Sequence, residues 1–167
     1  IKRGVGFAQG VWYRLTNFDS ACEVRVWRDG AVEVLSAVQD IGGGIRTALA
    51  QVVAEELGVR AEDVSVRIGD THFPPGTSSG GSSTTGSMTP AARSAAWQVK
   101  RKLAAIVAPL LGCQPAELTF AGGGVIPKGD VSKAIPLTQA CKKLPTGELV
   151  ARGERAGEYG QGGGGRG

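Results

Sequence analysis

Apolar and polar positions change period several times along the chain, and each change marks an element. Cys22, Val24 and Val26 alternate with Glu23 and Arg25, and the alternation resumes at Val32 and Val34. Asp29-Gly30 lies between the two runs, which is among the strongest local signals for a β-hairpin. From Ile45 the period lengthens. Ile45, Ala48, Leu49, Val52, Val53 and Leu57 fall on one helical face, and Gly58 is a natural stop. Val64, Val66 and Ile68 alternate again, which predicts a strand. A second helical face carries Ala92, Ala96, Val99, Leu103, Ile106, Val107 and Leu110. It predicts a helix over 90–111, with Thr89 as N-cap, Pro90 as first helical residue and Gly112 past the end. The small side chains of Ala91, Ala92, Ala95 and Ala96 invite close approach by a neighbouring element.

Beyond Pro115 the pattern weakens. Leu118 to Phe120 and Val125-Ile126 predict a short hairpin around Gly122 to Gly124. Pro136 to Leu144 predicts a short helix, and Leu149 to Arg152 a last strand. Lys2 to Leu15 reads as extended chain lying against something else. The order predicts an α+β fold, with helices packed on a mixed or antiparallel sheet.

Composition adds one strong feature. Glycine supplies 27 of 167 residues, more than twice the average usage of about 7%. Much of the excess sits in Gly42 to Gly44, in the stretch Gly76 to Thr89, and in the tail. Residues 154–167, ending GQGGGGRG, are expected to form a flexible tail after a domain over 1–153. The formal charge of +4 is mild. Apart from Lys100-Arg101-Lys102 and Lys142-Lys143 the cations are scattered, which fits solvated faces better than a nucleic-acid patch. Cys22, Cys113 and Cys141 are far apart and odd in number, so a zinc site or disulfide framework is disfavoured; they read as reduced, partly buried thiols. With no signal peptide and no apolar run of membrane length, the expected location is cytoplasmic. A chain that starts at Ile1 reads as a fragment, and the compartment of its parent, the periplasm included, stays open.

Gly76 to Thr89 reads GTSSGGSSTTGSMT: every residue but Met88 is Gly, Ser or Thr. A structureless loop of that length inside a domain is usually functional or disordered. It leads into a helix, as Gly42-Gly43-Gly44 does before Ile45. Backbone N–H groups at helix starts suit a phosphate. Each element also has a plain reading, a tight turn for the triglycine and a linker for the loop. Two helix starts that can converge on one anion favour the binding reading. The common phosphate motifs are missing: no G-x-x-x-x-G-K-[ST], and no G-x-G-x-x-G with a later acidic ribose ligand. A serine nucleophile finds no G-x-S-x-G elbow, and the single histidine, His72, reads as packing or facing solvent.

The run VRVWRDGAVEVLSAVQDIGGGIRTALAQVVAEELGVRAEDVSVRIGDT, followed by FPPGTSSGGSSTTGSMTPAARSAA, resembles the molybdopterin-binding large subunit of the xanthine dehydrogenase/aldehyde oxidase family, its bacterial multi-subunit members above all. The resemblance covers about residues 2 to 153. It implies an oxidoreductase segment that binds molybdenum cofactor, either molybdopterin or its cytosine dinucleotide form. The protein in that family supplies almost no direct metal ligand, and it holds the pterin and phosphate by backbone N–H groups, hydroxyls and amide side chains.

By that resemblance the first cofactor loop maps to Gly42, Gly43 and Gly44. Gly43 stands where the family often has a glutamine near the metal. The second loop maps to Thr84, Thr85, Gly86, Ser87, Met88 and Thr89, with Ser82 and Ser83 just upstream. The resemblance further implies a full enzyme that hydroxylates an aldehyde or N-heteroaromatic carbon with water-derived oxygen. FAD and [2Fe–2S] centres belong to partner subunits or domains, and the rest of the molybdopterin-binding chain is the first partner. The family's general-base glutamate, in a Gly-x-Gly-Glu-like motif, has no counterpart here; Glu154 and Glu158 lie in a polar, Gly-rich stretch and are not candidates. No catalytic residue and no metal ligand is therefore assigned, and the isolated segment is expected to be inactive. An anion- or nucleotide-binding module without redox chemistry is the alternative.

Overall fold

The computed structural model describes residues 2–12 and 15–155. Seven strands and three α-helices follow in the order β1 (Ala21–Trp27), β2 (Val32–Ser36), α1 (Ile45–Leu57), β3 (Val64–Ile68), α2 (Thr84–Leu111), β4 (Leu118–Ala121), β5 (Gly124–Pro127), β6 (Ile135–Pro136), α3 (Leu137–Cys141) and β7 (Glu148–Glu154). The four-stranded sheet has the order β3-β2-β1-β7, and a three-stranded sheet has the order β4-β5-β6. β1 pairs antiparallel with both β2 and β7, whereas β3 returns parallel to β2 after the α1 crossover. The sheet is mixed, one of the two arrangements expected from the sequence pattern.

The β1–β2 turn forms where Asp-Gly stands. Gly30 adopts φ 90°, and its N–H donates to the Trp27 carbonyl at 2.9 Å. The Asp29 carboxylate accepts from the Ala31 N–H at 2.9 Å. Only a residue tolerant of the left-handed region fits there without strain. α1 keeps its predicted bounds and ends on Gly58 at φ 66°. Its buried face (Ile45, Leu49, Val53, Leu57) meets Val24, Val26 and Val34 of the sheet and Ala92, Ala96, Val99 and Leu103 of α2 in one core.

α2 departs from its predicted start. The helix begins at Thr84, not Pro90, and Ser83 rather than Thr89 occupies the N-cap position. Thr84 to Thr89 are thus its first turns and not a loop. Ser, Thr and Gly are weak helix formers and Pro90 imitates a first helical residue. Burial decides instead: Ser87 and Met88 are fully enclosed, in line with Ala91 and Ala95, and packing of a face outweighs local preference. Pro90 is carried inside the helix at the cost of one i to i−4 hydrogen bond.

The later elements also differ in extent. α3 is confined to Leu137–Cys141, β6 precedes it, and β7 runs on to Glu154. The flexible tail expected over 154–167 starts too early: Glu154 still belongs to β7 and Arg155 is buried, while residues 156–167 lie outside the described residues. Val5, Phe7 and Val11 stand exposed, and the Trp12 indole N–H donates to the Gly81 carbonyl at 3.3 Å. Of the basic run, Lys100 bridges to Glu56 at 3.4 Å, Arg101 lies over Trp97 at 4.7 Å and Lys102 donates to the Val150 carbonyl at 3.0 Å. Each cation has a local partner. No described helix is long and apolar enough to cross a membrane.

Candidate functional site

Two backbone crossings bring the starts of α1 and α2 together. The Ala37 N–H donates to the Pro74 carbonyl at 2.8 Å, and a Cβ at Gly76 would overlap the backbone of Val38. Further on, the Ser79 hydroxyl donates to the Gln39 carbonyl at 3.0 Å. The stretch leading into α2 is thereby pinned to the stretch leading into α1. A small recess of about 20 Å³ lies between them, lined by Gln39, Asp40, Ile41, Gly43, Ile45, Ser79, Thr84 and Thr85.

Neither helix start is capped by a side chain. In α1 the first intrahelical bond runs from the Ala48 N–H to Gly44 at 3.1 Å, and in α2 from the Ser87 N–H to Ser83 at 3.0 Å. The amides of 45–47 and 84–86 therefore have no acceptor within their own helix. Gly44 holds φ 78° and Gly42 φ 93°, and nothing lies within 4 Å of a Cβ built at Gly42, Gly43 or Gly44. This triglycine is an exposed bend over the recess. The Asp40 carboxylate accepts from the Gly42 N–H at 2.9 Å and lies 3.7 Å from Arg46.

The hydroxyls of the second segment divide into two sets. Ser82, at φ 57°, is exposed, and Thr84 and Thr85 face the recess. Gly86 has only Thr16 within reach of an added Cβ, at 3.8 Å. The others are engaged from within. Ser83 donates to the carbonyls of Ser78 at 3.0 Å and Gly80 at 2.8 Å. Ser87 accepts from the Asn17 N–H at 2.8 Å. Met88 sulfur accepts from the Thr77 N–H at 3.5 Å, and Thr89 donates back to the Thr85 carbonyl at 2.8 Å. Asn17 and Thr77 belong to the site's support, and no local sequence signal singles out either.

The remaining candidates fall elsewhere. His72 is exposed and its ring nitrogen lies 2.9 Å from Asp70, whose carboxyl is held below its usual range first by the His72 backbone N–H and then by the His72 ring. Cys22 and Cys141 are buried and Cys113 half-buried, all three as free thiols. Among the described residues no group of three His, Cys, Asp or Glu could hold a metal ion. The arrangement offers backbone amides and hydroxyls, with the Asp40 carboxylate at its edge. That donor set suits a phosphate-bearing group.

The model of a family described as molybdopterin cofactor-binding domain matches residues 1–163. The aldehyde oxidoreductase molybdenum-binding subunit PaoC of Escherichia coli K12 is 34% identical over 95% of this chain, which spans 21% of that protein. The carbon monoxide dehydrogenase large chain of Afipia carboxidovorans OM5 is 34% identical over 62% of this chain, or 13% of its own length. Among solved structures, the Cu,Mo-CO dehydrogenase aligns with 82% of the chain at TM-score 0.72 and 26% identity, covering 18% of its own chain. Quinoline 2-oxidoreductase from Pseudomonas putida 86 aligns with 80% at TM-score 0.70 and 25% identity, covering 19%.

The fold is that of a domain carried by large chains of molybdenum-containing oxidoreductases. This chain belongs to the molybdopterin cofactor-binding domain family, within the xanthine dehydrogenase family of molybdenum enzymes. It spans about a fifth of the length of the PaoC proteins it matches.

Proposed function

We propose that residues 1–153 form one part of the cradle that holds the molybdenum cofactor in a longer molybdenum hydroxylase chain, and that the cofactor's phosphate is gripped at the first turn of α2. The carrying observation is the meeting of two uncapped helix starts at one recess. An N-terminal turn presents several unsatisfied N–H groups and the positive end of the helix dipole to an anion. In this reading the amides of Thr84, Thr85 and Gly86 and the hydroxyls of Ser82, Thr84 and Thr85 take the phosphate. Ser83, Ser87, Met88 and Thr89 serve from behind, fixing the turn through the hydrogen bonds they make inward. Gly42, Gly43 and Gly44 leave open space beside the pterin.

When bound, the cofactor supplies the redox chemistry, hydroxylation of an aldehyde or N-heteroaromatic carbon with oxygen taken from water. This chain's residues bind and orient, and none is assigned a proton-transfer role. A recess of about 20 Å³ is far too small to enclose a pterin, so the remaining walls belong to the rest of the longer chain; the family resemblance places the general base there too. The segment alone is inactive in this reading. Electrons leave through iron–sulfur and flavin partners, and the pterin is either unextended or carries cytosine dinucleotide.

The test is cofactor retention. The chain is purified together with the remainder of the longer protein, and bound molybdenum and released pterin are measured for wild type and Thr85→Asp. Asp at an exposed first-turn position favours the helix by about 0.3–1 kcal/mol but repels a phosphate. The expected result is an unchanged or raised Tm with loss of at least tenfold of the bound pterin. Full retention by the folded variant sinks the assignment. A co-purifying nucleotide with no pterin would favour the plain anion-binding module.

A further inference from the structure

Arg155 closes β7, and only 5% of its surface is exposed. Its backbone N–H donates to the Ser20 carbonyl at 3.0 Å, and its guanidinium lies 5.0 Å from the centroid of the Phe18 ring. The Nε is enclosed without a hydrogen-bond acceptor. Among the described residues no carboxylate lies within ion-pair range of it, and that of neighbouring Glu154 is 3.4 Å from Arg152 instead.

A guanidinium keeps its charge at every physiological pH, so it has no protonation route out of its burial. A buried cation without a counter-ion is strongly unfavourable. The Phe18 face offsets part of this, and the planar fork of a guanidinium matches a planar pair of oxygens. The segment that carries Phe18 is tied to α2 by hydrogen bonds. Ser20 donates its hydroxyl to the Asn17 carbonyl at 3.1 Å, and the Asn17 N–H donates to Ser87 of α2 at 2.8 Å. An unpaired fork, stacked in place and tied to a helix, is a receptor whose anion comes from outside the described residues.

We propose that Arg155, stacked on Phe18, binds an oxyanion, either a phosphate group or a carboxylate. None of Arg155, Phe18 and Ser20 lines the recess between the helix starts, so this site is separate from the proposed cofactor grip and does not rest on it.

The test uses the whole 167-residue chain in Tris chloride, with inorganic phosphate and acetate as separate probes. Arg155→Met keeps the length of the stem and removes the charge. Without probe, Arg155→Met is at least as stable as wild type. Phosphate at a hundred times its Kd raises the wild-type Tm by roughly 5–10 °C and leaves Arg155→Met unmoved. Arg155→Lys, a point charge without the fork, loses at least tenfold in affinity. The Arg155 Nε–Hε NMR signal shifts on titration, and hydrogen exchange there slows. A response to phosphate alone identifies a phosphate-bearing ligand, and a response to acetate alone a carboxylate. Equal responses from wild type and Arg155→Met, or a silent Nε–Hε signal with both probes, overturn the proposal. Should Arg155→Met not fold, the wild-type NMR titration decides.

Discussion

Gly42, Gly43 and Gly44 look interchangeable in sequence and are not so in the fold. Gly44 is the N-cap of α1 at φ 78° and Gly42 sits at φ 93°. A Cβ in that region costs roughly 1–2 kcal/mol, only partly offset by a less flexible unfolded chain. Gly43 lies outside the left-handed region and has open space around it. Gly44→Ala should therefore lose about 1 kcal/mol in urea unfolding, while Gly43→Ala should be neutral or gain up to about 1 kcal/mol. Equal effects at the two positions would contradict the geometry. Ser87 teaches the opposite lesson. Its sequence neighbours mark it as a phosphate ligand, but its hydroxyl is fully buried against Asn17. Nothing in the local sequence tells an inward serine from an outward one, because a contact 70 residues away decides it.

At the level of elements, local rules hold where a single chemical signal dominates. Asp29-Gly30 marks the hairpin, Gly58 and Gly112 the two helix ends, and the period-3.6 face all of α1. They fail at the start of α2, where propensity and tertiary burial point in opposite directions. β6 is illegible because two residues carry no period. The alanine-rich stripe of α2, by contrast, does announce a close contact. Its partner is β7: a Cβ at Gly153 would overlap the Ala91 carbonyl oxygen and the Ala95 nitrogen. Backbone atoms of a central helix cannot step aside as a flexible side chain does. Gly153→Ala should cost about 2–3 kcal/mol as overpacking, read as a Tm lower by roughly 5–10 °C. The control is Gly147→Ala, just before the start of β7, where a Cβ meets nothing within 4 Å. That variant should unfold within about 1 kcal/mol of wild type, its unfolded chain being slightly stiffer. A Gly153→Ala protein as stable as this control would show that α2 and β7 can separate freely.

Across the molecule, one core joins the sheet, both long helices and α3, and two of its members are thiols. Cys22 and Cys141 are 0% exposed. Burial pushes the Cys22 thiol up to about 12, with the Ser36 hydroxyl pulling weakly the other way. Cys141 rises to about 11, through burial first and the charge of Asp29 second. In the unfolded chain both titrate near the ordinary value of 9.0. Below that pH both states hold the two protons, and the thiols leave stability flat. Above it the unfolded chain releases protons that the folded core retains, so unfolding is favoured by about 1.4 kcal/mol per pH unit for each thiol. At pH 10 the two together should remove about 3 kcal/mol relative to pH 8. Lysine and tyrosine also titrate in this range, so the comparison is with Cys22→Ala/Cys141→Ala, which keeps those groups. Urea midpoints at pH 8 and pH 10 should fall steeply for wild type and much less for the double variant. Parallel losses would mean that the alkaline sensitivity arises outside the core. An alkylating reagent offers a second reading of the same burial. At pH 8 the folded protein should be modified at half-buried Cys113 alone, and at Cys22 and Cys141 only once urea has opened the sheet against α2 and α3.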